Sequence, residues 1–170
     1  QGPIVKDKAS FLVTARRTYI DALLRPFMSL STGGPSLYFY DFTAKVNWQV
    51  NPRNRLYLSG YFGRDKFGLR EKDDNNSESE FGLWWGNATG TLRWNHVFSP
   101  SLFMNATGIY SLYRFSVYAD LRFAGEHFWQ RFYSGIQNGG VKIDFQWQPH
   151  AWHTVRFGVS VHPQRGGGEV

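Results

Sequence analysis

The side chains with most to offer chemically are few and badly matched. His150 and His153 stand three apart beside a turn, with His162 further on, and imidazoles at such spacing can hold zinc. In an extended chain positions three apart point to opposite faces, and no Cys or carboxylate accompanies them, so no metal site is expected. Glu126-His127 pairs an acid with a base, but in a polar stretch with no nucleophile beside it. Asp73, Asp74, Asn75, Ser77 and Glu78 crowd oxygen ligands together, yet the glycine and the bidentate glutamate of a calcium loop are not in their places. There is no Gly-x-Ser-x-Gly elbow and no phosphate loop. The chain has no cysteine, which excludes thiol catalysis, Cys-ligated zinc and disulfides. Neither enzymatic activity nor a cofactor is expected.

What remains is chemistry of contact. Polar side chains that alternate with apolar ones, among them Asp41, Lys45, Arg93 and Asn95, and the aromatic residues Trp129 and Tyr133 in a later connection are the candidates for touching a ligand. Asn87-Ala88-Thr89 and Asn105-Ala106-Thr107 match the glycosylation sequon, but both sit inside expected strands, where Asn and Thr read as residues of a wetted face. The net charge of +6 invites a nucleic-acid reading, but the basic residues are scattered singly and form no tract, so no nucleic-acid partner is expected.

The elements that carry these residues are long runs of period two. From Tyr38 to Val50 every even position is apolar (Tyr38, Tyr40, Phe42, Ala44, Val46, Trp48, Val50), while Asp41, Thr43, Lys45, Asn47 and Gln49 stand between. Asn51-Pro52-Arg53-Asn54 turns the chain, since proline presets the turn dihedral and asparagine tolerates positive φ. Leu56, Leu58, Gly60 and Phe62 continue the apolar face on the return. The pattern repeats over 83–98, 102–117, 132–148 and 153–161, and upstream in Phe11, Val13 and Ala15. Short turns are expected near 6–8, 51–54, 99–101 and 149–152, and long polar connections at 17–37, 68–82 and 118–131. Thr18 to Phe27 carries Ile20, Leu23, Leu24 and Phe27 at helical spacing behind a capping-box-like Thr18, which predicts a short helix there.

The expectation is all-β: an antiparallel up-and-down meander of about seven to eight long strands over 1–170, a segment of a transmembrane β-barrel with one short helix in an extracellular loop. No run approaches the roughly 18 apolar residues of a membrane helix, but barrels cross with alternating strands that hydropathy averages away. Runs of roughly 9 to 16 residues exceed the usual strand length of globular sheets. Aromatics sit near both ends of the apolar face (Tyr38, Tyr40, Trp84 and Tyr118; Trp48, Trp94, Phe98, Trp147 and Trp152), with small or aliphatic residues between them, like two interfacial girdles. Short turns on one side and long polar loops on the other would match periplasmic and extracellular ends. Charge at Ala88 would then meet lipid and charge at Thr89 water. The chain begins at Gln1 without an initiator Met or signal peptide, so its natural N-terminus is expected to lie further upstream.

Several stretches also resemble a family. Gly2-Pro3-Ile4-Val5-Lys6-Asp7-Lys8 before Phe11-Leu12-Val13, then Ala15-Arg16-Arg17-Thr18-Tyr19-Ile20-Asp21, the run from Leu56 to Asp65, and Trp85-Gly86-Asn87-Ala88-Thr89 with Leu92-Arg93-Trp94-Asn95-His96 resemble the early barrel of TonB-dependent outer-membrane receptors. The resemblance implies part of a 22-stranded barrel in the cell outer membrane. In the full-length protein it implies a plug domain and TonB as partners, besides outer-membrane lipid, and import of a bulky nutrient such as an iron chelate, a cobalamin-like cofactor or an oligosaccharide. No plug matches within these residues. A passive porin-type channel and a soluble all-β sugar-binding module are the alternative readings.

Overall fold

The computed structural model describes residues 1–20, 33–72, 77–123 and 126–169. These form nine strands: β1 (Gly2–Val5), β2 (Ala9–Arg17), β3 (Gly33–Asn51), β4 (Asn54–Lys72), β5 (Glu78–Ser99), β6 (Leu102–Phe123), β7 (Glu126–His150), β8 (His153–Val161) and β9 (Gln164–Glu169). Each strand from β1 to β8 pairs antiparallel with the next, giving one meandering sheet.

β8 and β9 both pair with β7, and their registers agree: Val141 faces Val161 and Asn138 faces Gln164, so each pair sums to the same number. They are one long edge strand, interrupted only where Pro163 has no N–H to give the ladder. The Pro163 carbonyl still accepts from the Gly139 N–H at 3.0 Å.

The short turns fall where the sequence puts them, and each is accompanied by a register shift, at Pro3/Val5, Gln49/Asn51, Val97/Ser99 and Trp147/His150. Their chemistry is local. Asp7 takes a positive φ of 58°, which an Asp tolerates better than most residues. The Asn51 Oδ1 accepts from the Arg53 N–H and from Asn54 Nδ2, both at 2.9 Å, closing an Asx turn.

The far end corrects the sequence reading. Two connections expected to be long loops are mostly strand: β4 and β5 consume 68–82 except for 73–77, and β6 and β7 consume 118–131 except for 124–125; of the third, 17–37, β3 takes 33–37, and 21–32 lie outside the described residues. At these two connections the expected loop is strand overhang. The helix expected over 18–27 falls, from residue 21 onward, outside the described residues.

Continuous register makes the two faces explicit. On the face of Trp48, six rows are apolar in most positions. They run from Leu102, Trp147 and Val155 at the turn end, through Val46, Leu58, Leu92, Gly108, Val141 and Val161, to Phe42, Phe62, Ala88 and Leu112, a row that Gln137 and Arg165 continue. On β6 this band covers eleven residues, Leu102 to Leu112. On the face of Lys45, the same stretch carries Asn47, Tyr57, Arg93, Thr107, Lys142 and Ser160 in one row and Gln49, Arg55, Asn95, Asn105 and Asp144 in the next.

Nothing among the described residues covers the apolar band. Among the described residues Met104 is the only large hydrophobic one that is buried, while Leu58, Leu92 and Val141 are 56%, 52% and 56% exposed. The accessible surface is 12582 Å², against about 8,600 Å² for a globular monomer of 19.6 kDa. A single-layer sheet with one bare apolar face has no core of its own.

Candidate ligand-facing wall

Beyond the Phe42–Phe62–Ala88–Leu112 row the polarity of the faces exchanges, although the register does not slip. The Trp48 face becomes charged: Arg70, Lys72, Glu78, Glu80, Asp120 and Arg122 all fall on it. The Lys45 face becomes mostly apolar, with Phe39, Trp85 and Phe115 alongside Asp65 and Ser134 in one row and Leu37, Phe67, Leu83, Val117 and Phe132 in the next. Phe115 and Phe132 meet edge to face at 6.3 Å between ring centroids. The wall on the Lys45 face therefore has two zones, a polar one toward the turns and an aromatic collar toward the far end.

Of the residues the sequence singles out, Asp41, Lys45, Arg93 and Asn95 share the polar zone. Asp41 is engaged: Arg16 Nε donates to its Oδ2 at 2.8 Å, and the same guanidinium lies 5.6 Å from the Phe39 ring centroid. Lys142 and Asp144 pair at 3.1 Å, and Arg55 donates to Gln49 at 2.8 Å. Lys45 and Arg93 have no carboxylate within ion-pair distance among the described residues. Asn95 and Asn105 are cross-strand partners, and the Oδ1 of each is buried with no hydrogen-bond partner among the described residues. Their amides are the groups of this wall with unspent capacity. Asn105, Asp144 and Arg156 also line a shallow hollow of about 520 Å³.

Trp129 and Tyr133 are placed differently from expectation. Both lie within β7 rather than in a loop, and both point to the Trp48 face, where Tyr133 meets Trp84 at 6.2 Å. They do not converge with the other four. The collar residue Trp85, by contrast, is not among the residues the sequence singles out for ligand contact. Its signal is an alternation that continues through 81–85 with its phase reversed, where the charge of the neighbouring positions reads as loop.

The charged overhang is held by its own pairings. Arg70 pairs with Glu78, and Asp120 accepts from His127 at 2.9 Å while Arg122 lies 3.4 Å away. The Arg70 hydrogen bond holds the Glu78 carboxyl below the usual carboxylate range. Tyr118 donates to Glu80 Oε1 at 2.7 Å. Burial, then that hydrogen bond, pushes its phenol up to about 12. Its ring lies over Gly82, its cross-strand partner, in space where a side chain at residue 82 would collide with it.

Comparison with known proteins adds no identity: no family model matches this chain, and no curated protein matches it. No group of three or more His, Asp or Glu poised to hold a metal occurs among the described residues.

Proposed function

We propose that this sheet is part of the wall of a transmembrane β-barrel in an outer membrane. Its parent protein, in this reading, is a TonB-dependent receptor that imports a bulky nutrient. The observation that carries the membrane part is the uncovered apolar band. An antiparallel strand rises about 3.4 Å per residue, and at a tilt near 40° the ten steps from Leu102 to Leu112 span about 26 Å. That is the height of the apolar belt of outer-membrane barrels, about 25 Å. Lipid then takes the place of the missing core, the Lys45 face lines a wet lumen, and the overhanging strands stand in water with their charged side outward.

The aromatic collar supports a receptor over a passive channel. A pore for small solutes gains from polar walls, whereas rings above a polar lumen offer stacking and desolvation to a large, partly apolar ligand. Asn95 and Asn105, lower in the wall, then supply amide groups to what passes or to whatever fills the lumen. The resemblance in the Gly2–Lys8 and Ala15–Asp21 segments supports the same family.

Two experiments test the reading. Flotation of the refolded chain with phospholipid vesicles is expected to carry it to the lipid fraction in a protease-protected form; a chain left soluble and folded in plain buffer would refute the membrane reading in favour of a soluble module. The native gene is expected to encode a signal peptide, a TonB-contacting stretch and a plug-sized domain before this segment. A barrel gene without a plug would leave the membrane reading intact and make the protein a passive channel.

A further inference from the structure

We infer that the Trp48 face carries, just beyond the apolar band, a binding site for the phosphate groups of an anionic membrane lipid; this rests on the membrane reading above. The row next to Phe42–Phe62–Ala88–Leu112 is Arg17, Tyr40, Arg64, Gly86, Arg114 and Gly135. The row after it holds Lys66, Trp84, Ser116 and Tyr133, and Arg131 lies one row further out. Basic residues thus collect in three adjacent rows of one face. The only acid in these rows is Glu169, at the sheet edge.

Two arginines stand beside glycines of the neighbouring strand. Gly86 sits between Arg64 and Arg114 in the register, and a Cβ there would touch Arg64 Cγ at 3.7 Å; Gly135 stands in the same relation to Arg114 Cγ, again at 3.7 Å. Arg64 reaches the Trp84 face, its guanidinium carbon 4.3 Å from the ring centroid. Arg131 Nε is fixed by Ser116 Oγ at 3.1 Å, and Ser116 is fully buried. Among the described residues none of Arg64, Lys66, Arg114 or Arg131 has a carboxylate within ion-pair distance, although Glu78, Glu80 and Asp120 further out are all engaged.

Arg64 and Arg114 are two strands apart, about 10 Å between backbones, and enclose a cleft of about 150 Å³ with Phe62, Trp84 and Leu112. An acyl chain lying on Phe62, Ala88 and Leu112 ends its apolar run at this row. The next group outward on a lipid is its phosphate, and forked guanidinium donors match phosphate oxygens. The vertical order of aliphatic band, then Arg row, then Trp and Tyr is the order of acyl chain, phosphate and headgroup. A free anion would have no use for the apolar floor, so the occupant is a lipid.

The test uses the full-length native protein in mild detergent, titrated with phosphatidic acid and read by native mass spectrometry. The double variant R64Q/R114Q is compared with R55Q/R156Q, which removes the same charge from the Lys45 face. Loss of both outward arginines is expected to weaken lipid binding about 30-fold, the worth of two basic groups at an anionic surface, with R55Q/R156Q unchanged. Equal binding in R64Q/R114Q and wild type would overturn the site. Displacement of the lipid by inorganic phosphate at equal concentration would also overturn it, as a site for soluble anions. Vesicle flotation of R64Q/R114Q separates the two readings: a variant that floats yet binds lipid normally refutes only the site, and a wild type that does not float refutes the membrane.

Discussion

Charge placed on the Trp48 face should destabilise the folded protein in proportion to its depth in the apolar band. On β5 the band runs from Ala88 to Phe98, so its middle falls at Arg93, and Leu92 is the nearest residue toward Ala88 that points outward. In the membrane reading proposed above, at about 2.6 Å of height per residue, Leu92 would lie within about 3 Å of the midplane and Ala88 about 13 Å from it. A midplane Arg on the lipid side costs about 2 to 4 kcal/mol, falling to about 0 to 1 near the interface. Leu92→Arg should therefore cost about 2 to 4 kcal/mol. Ala88→Arg, which the sequence alone would rank as fully lipid-facing, should cost about 1 kcal/mol or less, because Arg64 and Arg114 already stand one row above it. Thr91→Arg, next to Leu92 but on the Lys45 face, should cost little. The assay is reversible folding of the full-length protein into vesicles across a guanidinium gradient, followed by tryptophan fluorescence. Equal costs for Leu92→Arg and Thr91→Arg would refute the face assignment, and equal costs for Leu92→Arg and Ala88→Arg would refute the position of the band.

Other consequences concern the overhang and the first turn. Tyr118 is neutral in the fold up to about pH 12 but ionises near pH 10 when unfolded, so its contribution is complete below pH 10 and is lost as pH rises from there to about 12. Ultraviolet titration of tyrosinate should show one late-ionising residue, and Glu80→Gln should bring it part of the way back; an unchanged late phase in that variant would mean that burial alone sets the shift. Glu78, held low by Arg70, adds stability above the ordinary carboxylate range that is lost as pH falls through its lowered value. Amide exchange at the ends of β4 and β5 should quicken in acid and lose that dependence in Glu78→Gln. Gly82→Ala should drive the Tyr118 ring off the strand and break its bond to Glu80, which the same tyrosinate titration would register as an earlier ionisation. Asp7→Val should cost about 1 to 2 kcal/mol because a β-branched residue resists the positive φ, while Asp7→Gly should cost nothing or stabilise; equal denaturation midpoints would argue against the turn geometry.

The meander and its short turns were legible because period-two patterning and turn chemistry are local. Tyr38 to Val50 needs no partner to show its two faces, and Asn51-Pro52-Arg53-Asn54 carries its own hydrogen bonds. The assignment of Asp41, Lys45, Arg93 and Asn95 to one face followed from the same rule. What failed was the inference from charge to loop at 68–82 and 118–131. Arg70, Lys72, Glu78, Glu80, Asp120 and Arg122 are dense in sequence, yet in the sheet they occupy a single face while Leu69, Phe81, Leu83 and Val117 alternate against them. Trp129 and Tyr133 were misplaced for the same reason, since a residue thought to be in a loop has no face.

The exchange of polarity is itself an argument about surroundings. A sheet in uniform solvent has no cause to be apolar on one face for eleven residues and then charged on that face without a bulge, because register and pleat are the same on both sides of the boundary. The change lies between Ala88 and Trp84 on β5 and between Leu112 and Ser116 on β6, at one height across neighbouring strands, and the row of arginines marks it. In the membrane reading proposed above, a medium that changes from apolar to aqueous at that height would account for the charge on the Trp48 face beyond the band. A soluble sandwich would need a second layer over the band from Leu102 to Leu112 that ends where the arginines begin, and the described residues supply none.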